Sequence, residues 1–543
     1  MLGLMMDKPL LISDLIRHAD RHHGSTEIVS KTVEGGMHRY TYRDAHKRAR
    51  QLAKALQSLG VKMNDRIGTL AWNGYRHFEI YYAVAGIGSI IHTINPRLFP
   101  EQIVYIANHA EDRYIFFDIT FAPLVKKLAP ALKSVKGFVA MTDRAHMPKE
   151  KIPNLLCYEE LIAAQDDGLE WPTFDERTAA CLCYTSGTTG NPKGALYAHR
   201  STMLHAYAAA LPDALNLSAR DTILPVVPMF HVNAWGLPFT CTMVGATQVF
   251  PGPCLDPDSL LELFVSERVT VTAGVPTVWM GLLQALDKAP GTYDLRAMRA
   301  IVCGGSAASP ALIRAFQERH GLTIVHAGGM TEMTPLGTVC TVPSYLADAP
   351  FDAQLAYRAR QGVPQTLVEI RARTDNGFAP WDGKTMGELE VRGPWVAASY
   401  YNSDGPDDRF TDDGWFRTGD IVTIGERGCI ELTDRAKDLV KSGGEWISTV
   451  ALEVALMGHP AVAEAAVIAV PHPKWDERPL AVVVLKTGQR ASADELRAFL
   501  APNFAKWWLP DAIEFAPEIP RTSVGKFRKT TLRDKYRDRY QTV

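Results

Sequence analysis

The sequence carries almost no net charge. Its 58 lysines and arginines nearly balance 60 aspartates and glutamates, which gives a formal net charge of −2. A protein that holds a nucleic acid or an anionic membrane by electrostatic attraction needs a broad basic surface, because each phosphate contact requires a cation. The balance of charges therefore argues against a nucleic acid as partner.

Long apolar runs are also missing. The longest weakly polar stretch, residues 81–94, is shorter than the ~20 apolar residues that a transmembrane helix needs. Near the start, Asp7, Lys8 and Asp14 interrupt the chain, which lacks the basic and apolar regions of a secretory signal. We therefore expect no membrane span, no signal peptide and a cytoplasmic location.

Paired cysteines of the kind that hold zinc are not found. The eight cysteines are scattered along the chain without the spacing of metal ligands. Cys181 and Cys183 alternate, as residues on one face of a buried strand do, and free cysteine prefers protein interiors. We expect reduced and mostly buried thiols, which agrees with a cytosolic protein.

The chain is long and has an ordinary globular composition. At 543 residues it exceeds the ~250–300 residues at which a single core stops growing, so it should form at least two domains. Apolar residues make up 46% and charged residues 22%, a balance typical of folded chains rather than disordered or fibrous ones. A large enzyme is the natural expectation.

The first four hundred residues have the pattern of an α/β fold. Between Thr41 and Gly60, apolar residues recur every three to four positions, which predicts an amphipathic helix. Similar stretches alternate with short apolar runs, as in parallel sheets with crossover helices. The runs predicted as strands are Arg66–Ala71, Tyr114–Phe117, Thr222–Pro225, Gln248–Phe250 and Ala300–Cys303.

A small β-rich subdomain is expected at about residues 350–434. Short strand-like segments at 387–393 and 428–435 flank a connection rich in glycine and aspartate. Together with the preceding residues, this subdomain would complete a large N-terminal domain over residues 1–434.

Residues 435–543 should form a separate, mobile α+β domain. A helix is predicted from Ser448, and a second helix opens with the capping box Ser492–Glu495. The linker is short, so movement between the domains would be that of a hinge rather than a tether. The strands predicted in this domain are 465–470, 481–485 and 513–515.

A run of small hydroxyl residues and glycines follows the apolar segment Ala179–Cys183. In such a loop, backbone N–H groups and hydroxyls can surround a polyphosphate, and a lysine adds a cation. It is not a Walker loop, because no Gly-Lys-Ser/Thr follows. A surface turn is the alternative, but the position directly after an apolar strand favours a phosphate loop. Its candidate nucleotide-binding residues are Thr185, Ser186, Gly187, Thr188, Thr189, Gly190 and Lys193.

This loop resembles the signature loop of the adenylate-forming superfamily, which includes acyl-CoA synthetases, luciferases and adenylation domains of peptide synthetases. The sequences of residues 230–236 and 330–335 are most similar to those of medium- and long-chain fatty acyl-CoA synthetases and of 3-methylmercaptopropionate-CoA ligases. The further motifs that carry the resemblance follow in the expected order at Pro228–His231, Gly304–Ser306, Gly329–Glu332, Gly414–Asp420, Asp434–Asp438 and Pro520–Lys526.

The resemblance implies roles for residues around the nucleotide. Thr331 would contact phosphate and Glu332 would coordinate Mg²⁺, for which carboxylate oxygens are suitable ligands. Asp420 would accept the ribose hydroxyls, and Arg435 would contact ribose or phosphate. Without the motifs, Asp420 and Arg435 would be interpreted as ordinary surface charges, and Glu332 as a solvated residue or the partner of a helix N-cap.

Two lysines have implied roles in catalysis and movement. Lys526 resembles the lysine that reaches the carboxylate and the α-phosphate and neutralises the charge that develops during adenylation. Lys437 matches the position about which the C-terminal domain rotates between the two half-reactions. The alternatives are a solvated basic patch and an exposed interdomain charge.

A third group of residues is implied for the acyl pocket. His231, which we also count among the catalytic residues, and Trp235 are four residues apart and could share a helical face, with Val232 beside them. In the resembling synthetases, a tryptophan here gates the acyl tunnel, although a buried core tryptophan is the alternative. Glycines would let acyl group and adenine approach the backbone in the loop of Gly304, Gly305, Ser306 and Ala307.

One residue departs from the family pattern. Where the family has an aromatic side chain that stacks on adenine, this chain has Gly328, followed by the nucleotide-site residues Gly329 and Met330. A stacking contact of about 1 kcal/mol would be lost. The change could weaken ATP binding, shift the choice of nucleotide or lengthen the acyl pocket, or another side chain could fill the space.

The implied reaction joins a carboxylic acid to coenzyme A at the expense of MgATP. The acid would be activated as an acyl-adenylate with release of pyrophosphate, and the thiol of coenzyme A would then displace AMP. A medium-chain fatty acid is the first expectation, and 3-methylmercaptopropionate or another short-chain acid is the alternative. A ligase that loads a carrier protein, a luciferase-type oxygenase and a catalytically silent acyl or nucleotide sensor are rival functions. The resemblance also implies a homodimer.

Overall fold

The computed structural model describes residues 1, 3–185, 191–403, 405, 407–442, 445–521 and 527–540. The helices and single helical turns lie at α1 Ile12–His23, α2 Tyr42–Ser58, α3 Tyr75–Gly86, α4 Pro100–His109, α5 Ala122–Leu128, α6 Tyr158–Ala163, α7 His199–Ala210, α8 Val232–Trp235, α9 Leu237–Val244, α10 Pro257–Ser266, α11 Pro276–Lys288, α12 Pro310–His320, α13 Phe351–Arg358, α14 Thr449–Met457, α15 Ala493–Leu500 and α16 Lys529–Tyr536.

The strands of the same residues group into several sheets. They lie at β1 Glu27–Lys31, β2 Met37–Thr41, β3 Arg66–Leu70, β4 Ile90–Thr93, β5 Asp112–Phe117, β6 Gly137–Ala140, β7 Leu155–Cys157, β8 Ala179–Tyr184, β9 Gly194–Ala198, β10 Thr222–Pro225, β11 Thr247–Phe250, β12 Val271–Gly274, β13 Ala300–Cys303, β14 Ile324–Gly329, β15 Leu336–Cys340, β16 Val363–Pro364, β17 Glu369–Thr374, β18 Gly377–Phe378, β19 Gly387–Arg392, β20 Phe416–Ile424, β21 Ile430–Arg435, β22 Val440–Ser442, β23 Glu445–Ile447, β24 Val462–His472, β25 Asp476–Leu485 and β26 Ala512–Phe515.

Two large sheets with parallel centres build most of the chain. One has the order β16-β15-β14-β13-β12-β10-β11-β1-β2, and its strands from β14 to β1 are parallel. The other has the order β7-β6-β5-β3-β4-β8-β9 and is parallel from β7 to β8. Helices cross between successive parallel strands, as such connections require. The predicted α/β class is confirmed.

Helix α2 illustrates how capping residues and apolar spacing determine a helix of this fold. The side chain of Thr41 accepts a hydrogen bond from the Asp44 backbone N–H, and the Asp44 side chain accepts one from Thr41, which closes a capping box. Such a cap stabilises a helix by about 1 kcal/mol. Ala45, Ala49 and Leu52 recur at helical spacing and are buried in the core shared with the sheets. The predicted amphipathic helix is confirmed.

The β-rich subdomain is an antiparallel sheet of order β18-β17-β19-β20-β21. Alternate residues of its strands, Ile370 and Ala372 of β17 and Leu389 and Val391 of β19, are buried in one hydrophobic cluster, as the period of two in a strand dictates. Met333, which directly follows the predicted motif residues 329–332, packs into the same cluster. The β-rich sheet therefore holds the residue that directly follows motif residues 329–332.

The C-terminal segment folds as the sequence predicts. Ser448 caps α14, Ser492 and Glu495 form the capping box of α15, and β24, β25 and β26 contain the three predicted strands. Asp434, at the end of β21, accepts hydrogen bonds from the Thr449 backbone N at 2.5 Å and from Thr449 Oγ1 at 2.7 Å. These contacts join the end of the β-rich sheet to α14, while the proposed boundary at residue 435 stays a prediction.

The remaining expectations concern cysteines and membranes. All eight cysteines are free thiols, and all except the half-buried Cys254 are buried. Among the described residues, no helix combines the length and the apolar character needed to cross a membrane.

Candidate active site

A cavity opens at the carboxyl ends of three parallel strands. It has a volume of about 350 Å³, and Ala273, Val302 and Gly304 line it at the ends of β12 and β13, with Ala327 from β14. Ligands of α/β proteins bind at this edge of a parallel sheet, where loops and helix starts converge. We call this cavity the first chamber. Of the predicted site residues, it is lined by Thr185, Lys193, His231, Val232, Trp235, Gly304, Gly305, Gly328, Gly329, Met330, Thr331, Glu332, Arg435 and Lys437.

A smaller cavity of about 90 Å³ adjoins the first one between β14 and the β-rich sheet. We call it the second chamber. Three predicted residues line it without lining the first chamber, namely Ser306, Ala307 and Asp420. Five predicted residues border both chambers, namely Gly305, Gly328, Gly329, Met330 and Arg435. Ala307, which the sequence assigned to the acyl pocket, therefore lies on the side of Asp420 rather than with His231 and Trp235.

The predicted magnesium ligand Glu332 is buried in a charged cluster. The hydroxyl of Tyr400 donates to Glu332 Oε1 at 2.5 Å, and Arg409 Nη1 donates to the same oxygen at 3.1 Å. Burial and the neighbouring carboxylate raise the pKa of Tyr400, which therefore stays protonated and continues to donate. The arginine compensates the buried negative charge of the glutamate, and both partners fix the position of its carboxylate.

Lys193 belongs to the same cluster. Its ammonium group forms an ion pair with Asp407 and lies 4.9 Å from the centre of the Tyr400 ring. Burial alone would raise the pKa of Asp407, but the hydrogen bond from Lys193 lowers it. The sequence did not single out Tyr400, Asp407 or Arg409, because isolated polar residues in a long connection between two strands carry no recognisable pattern.

Asp420 and Arg435 face each other across β20 and β21. Arg435 Nε lies 2.8 Å from Asp420 Oδ1, yet this buried oxygen accepts no hydrogen bond of acceptable geometry from the described residues. The contact is thus an attraction between charges, and the Asp420 carboxylate raises the pKa of Arg435. Asp420 Oδ1 can accept a hydrogen bond from a ligand hydroxyl.

The residues of the predicted acyl gate form an unusual turn. Val232, Asn233, Ala234 and Trp235 all have positive φ angles, between 48° and 58°. This left-handed conformation costs roughly 1–2 kcal/mol per residue. It is held in place by tertiary contacts, among them a hydrogen bond of 2.8 Å from Cys183 Sγ to Asn233 Oδ1. The prediction that His231 and Trp235 share a face of an ordinary helix is wrong, because the turn has the opposite hand.

The turn nevertheless brings both predicted side chains to the first chamber. The Trp235 ring packs against Gly304, where an added Cβ would lie 3.0 Å from Trp235 Cη2. A glycine at residue 304 therefore allows the indole to approach the end of β13.

Several predicted residues lie outside the described part of the chain. They are Ser186, Gly187, Thr188, Thr189, Gly190 and Lys526. The residues that flank these segments can be placed, since Thr185, Asn191 and Phe527 all line the first chamber. The backbone N of Thr185 donates to the Lys193 carbonyl at 2.9 Å, which brings the two ends of the phosphate-loop segment together.

Comparison with known proteins decides the family. A model of the AMP-binding enzyme family matches residues 15–401, and a model of the AMP-binding enzyme C-terminal domain matches residues 451–526. The chain belongs to the AMP-binding enzyme family.

Curated relatives match this AMP-binding enzyme over nearly its whole length. A 3-methylmercaptopropionyl-CoA ligase of Ruegeria lacuscaerulensis is 50% identical over 539 residues, or 99% of both chains. A medium-chain-fatty-acid–CoA ligase of Ectopseudomonas oleovorans is 48% identical over 99% of this chain and 98% of its own. A long-chain-fatty-acid–CoA ligase of Thermus thermophilus is also 48% identical, over 99% and 97%. The predicted family and the predicted class of ATP-dependent, AMP-forming ligase are confirmed.

A solved structure supports the fold of this AMP-binding enzyme. The anthranilate CoA ligase AuaEII, in complex with anthranoyl-AMP, superposes with a TM-score of 0.86 at 25% identity and covers 97% of this chain and 98% of its own. The individual site residues are untested by these comparisons, so their roles stay predictions.

Lys437 lies between β21, the last strand of the β-rich sheet, and β22, which belongs to the following sheet. Its side chain borders the first chamber, and burial lowers its pKa. A residue in this connection is suitably placed to change its backbone angles when the C-terminal unit moves. The hinge role is a prediction that fits this position.

Proposed function

We propose that this AMP-binding enzyme is an acyl-CoA ligase that activates a medium-chain fatty acid. The observation that carries the proposal is the mixed lining of the first chamber. Its apolar lining includes Leu215, Trp235 and Leu237, and its charged lining includes Glu332, Arg409 and Lys193. A carboxylic acid with an aliphatic tail and a nucleoside triphosphate is a substrate pair suited to such a lining.

The chemistry proceeds in two steps. A carboxylate oxygen attacks the α-phosphorus of ATP, a new P–O bond forms and pyrophosphate leaves, which turns a poor leaving group on the acyl carbon into a good one. The thiol of coenzyme A then attacks the acyl carbon, loses its proton, and releases AMP as the C–O bond breaks. Overall, ATP, acid and thiol give acyl-CoA, AMP and pyrophosphate.

Residues of the two chambers fit the parts of this substrate pair. Asp420 Oδ1 would accept hydrogen bonds from the ribose, and Arg435 beside it would hold the ribose or a phosphate. Glu332, Thr331 and Lys193 border the first chamber where the polyphosphate would lie. Carboxylate and phosphate oxygens are the ligands that Mg²⁺ prefers, and when bound at Glu332 the ion would neutralise the phosphate charge.

The choice of acid is tested by coenzyme-A-dependent release of AMP. We expect the highest kcat/KM with octanoate in a panel of acetate, 3-methylmercaptopropionate, butyrate, octanoate, palmitate and benzoate. A maximum at 3-methylmercaptopropionate would contradict the medium-chain assignment and leave the ligase class intact. Turnover only when a carrier protein replaces coenzyme A would contradict the assignment of coenzyme A as the acyl acceptor.

Trp235 should set the length of the acid. Replacing it with alanine (Trp235→Ala) removes the ring that lines the first chamber beside Gly304. We expect the ratio of kcat/KM for palmitate to that for octanoate to rise about tenfold or more, because each added methylene in an apolar pocket changes binding by ~10-fold. Trp381→Ala, at an exposed tryptophan, is the control. An unchanged ratio would exclude Trp235 from the acyl pocket.

The resemblance also leads us to propose a homodimer in the cytoplasm. Light scattering of the purified protein gives the mass directly. A mass near the 59.9 kDa of one chain at working concentration would contradict the dimer.

A further inference from the structure

His109, the last residue of α4, connects two segments that lead to the first chamber. Its ring nitrogen Nδ1 lies 2.6 Å from the hydroxyl oxygen of Tyr184, and Nε2 lies 3.3 Å from the carbonyl oxygen of Asn402. Tyr184 ends β8 directly before the phosphate-loop segment, whereas Asn402 belongs to the connection between β19 and β20. A single imidazole therefore joins two parts of the chain that are far apart in sequence.

The two partners determine which nitrogen of His109 carries the proton. A backbone carbonyl can only accept, so Nε2 must carry the hydrogen that it donates to Asn402. Burial raises the pKa of Tyr184, so its hydroxyl stays protonated and can donate to Nδ1. The neutral imidazole with its hydrogen on Nε2 therefore makes both contacts at once.

The contact with Tyr184 acts on the phosphate-loop segment. Tyr184 pairs with Gly194 across β8 and β9, and the backbone N–H of the next residue, Thr185, donates to the Lys193 carbonyl at 2.9 Å. Thr185 and Lys193 both line the first chamber. Their positions therefore depend on the strand end that His109 holds.

The contact with Asn402 acts on the residues around Glu332. The hydroxyl of Tyr400, two positions earlier, donates to Glu332 Oε1 at 2.5 Å. Between these residues, the Tyr401 backbone N–H donates to the Gly194 carbonyl at 2.8 Å. The connection is thereby tied both to the imidazole and to the strand that follows the phosphate-loop segment.

Packing holds the ring of Tyr184 independently of its hydroxyl. The ring packs against the hydrophobic cluster that includes Ile90 and Leu182, and it contacts the ring of His92 with 5.0 Å between the centroids. Removal of the hydroxyl should therefore leave the ring in place. A Tyr184→Phe variant isolates the hydrogen bond to His109.

We propose that His109 is a positioning residue for the polyphosphate of ATP, because it holds the strand end before Thr185 against the connection that carries Tyr400. The inference rests on the proposed function, which places the polyphosphate beside Lys193 and Glu332. AMP lacks the β- and γ-phosphates, so its binding should depend on His109 much less than the binding of ATP does.

Calorimetric titration without the acid compares ATP with AMP on the wild-type protein and on His109→Ala. We expect the variant to bind ATP about tenfold more weakly, as for the loss of a part-buried hydrogen bond, and to bind AMP within about threefold of the wild type. His22→Ala, at an exposed histidine of α1, is the control and should bind both nucleotides as the wild type does. Unchanged ATP binding in His109→Ala, or equal weakening for both nucleotides, would overturn the inference while the ligase assignment stands. If the wild-type protein binds neither nucleotide, the proposed function fails and the inference falls with it.

The two half-reactions separate positioning from a role in folding. His109→Ala should lower the rate of pyrophosphate release about tenfold at low ATP, mainly through a higher KM for ATP. With chemically prepared acyl-AMP and coenzyme A, thioester formation should stay within about threefold of the wild-type rate, since acyl-AMP carries no polyphosphate. Equal losses in both half-reactions would contradict the proposal.

Two conservative variants test the bridge itself. In His109→Asn, the side-chain amide lies near the position of Nδ1 and can accept from Tyr184, whereas the longer amide of His109→Gln can donate to Asn402. Each variant should recover part of the ATP affinity that His109→Ala loses. If both bind ATP as weakly as His109→Ala does, the hydrogen bonds do not carry the effect and the proposal is wrong.

A double-mutant cycle with Tyr184→Phe completes the test. Tyr184→Phe alone should weaken ATP binding about threefold or more and leave AMP binding unchanged, which also decides the question if His109→Ala fails to fold. Added to His109→Ala, it should weaken ATP binding by less than about twofold further, because both changes remove the same hydrogen bond. Fully additive effects would contradict the proposal.

Discussion

Replacement of Lys526 with alanine should abolish formation of the acyl-adenylate almost completely while leaving thioester formation intact. The prediction rests on the motif Pro520–Lys526, and the neighbouring residue Phe527 borders the first chamber. A cation that neutralises charge developing in the transition state contributes about 10²–10³-fold in rate. We expect a loss of that size in pyrophosphate release, measured in single-turnover experiments without coenzyme A.

The second half-reaction provides the internal control. With chemically prepared acyl-AMP and coenzyme A, Lys526→Ala should form acyl-CoA within about threefold of the wild-type rate, because the charge on the α-phosphate is then no longer developing. Lys535→Ala, at an exposed lysine of the nearby helix α16, should leave both rates unchanged. Equal losses in both half-reactions would show that Lys526 serves the fold or the thiol step instead.

Replacement of Glu332 with glutamine should have the second-largest effect. The amide keeps the shape of the side chain and can still accept from Tyr400 and Arg409, so the cluster should stay folded. It removes the charge that would bind Mg²⁺, and we expect kcat/KM for ATP to fall about 100-fold, as for the loss of one charge-stabilising group. A higher Mg²⁺ concentration for half-maximal rate should accompany the loss.

The Mg²⁺ dependence separates this role from a structural one. Glu431→Gln, at an exposed glutamate of β21, is the matched control and should keep the wild-type Mg²⁺ response. If Glu332→Gln lowers the melting temperature strongly but leaves the Mg²⁺ response unchanged in the folded fraction, the carboxylate only balances Arg409. Addition of a chelator should stop turnover of the wild-type enzyme in either case.

Much of the fold could be predicted because local patterns and tertiary packing agree. Thr222–Pro225 and Ala300–Cys303 are strands with the predicted bounds, since short apolar runs buried on both faces have few alternatives. Helices α2 and α15 begin after the caps Thr41 and Ser492, as the sequence indicates. The motifs likewise predicted which segments meet, because loops after neighbouring parallel strands converge at one edge.

Other features could not be predicted because their causes are distant in sequence. The left-handed turn of Val232–Trp235 contains residues that disfavour positive φ, and contacts such as that with Cys183 stabilise it. Tyr400 and Arg409 become site residues only because the connection between β19 and β20 folds over Glu332. The contact of Thr338 with Gly328 depends on the register of β14 and β15, which no local pattern indicates.

The fate of a labelled carboxylate oxygen tests the acyl-adenylate mechanism most directly. When an acid labelled with oxygen-18 in its carboxylate attacks the α-phosphorus, the bridging oxygen stays on phosphorus after coenzyme A displaces AMP. We predict that mass spectrometry finds one labelled oxygen in each AMP and none in pyrophosphate. Acyl-CoA formed without label in AMP, or with label in a phosphate product, would contradict the acyl-adenylate mechanism.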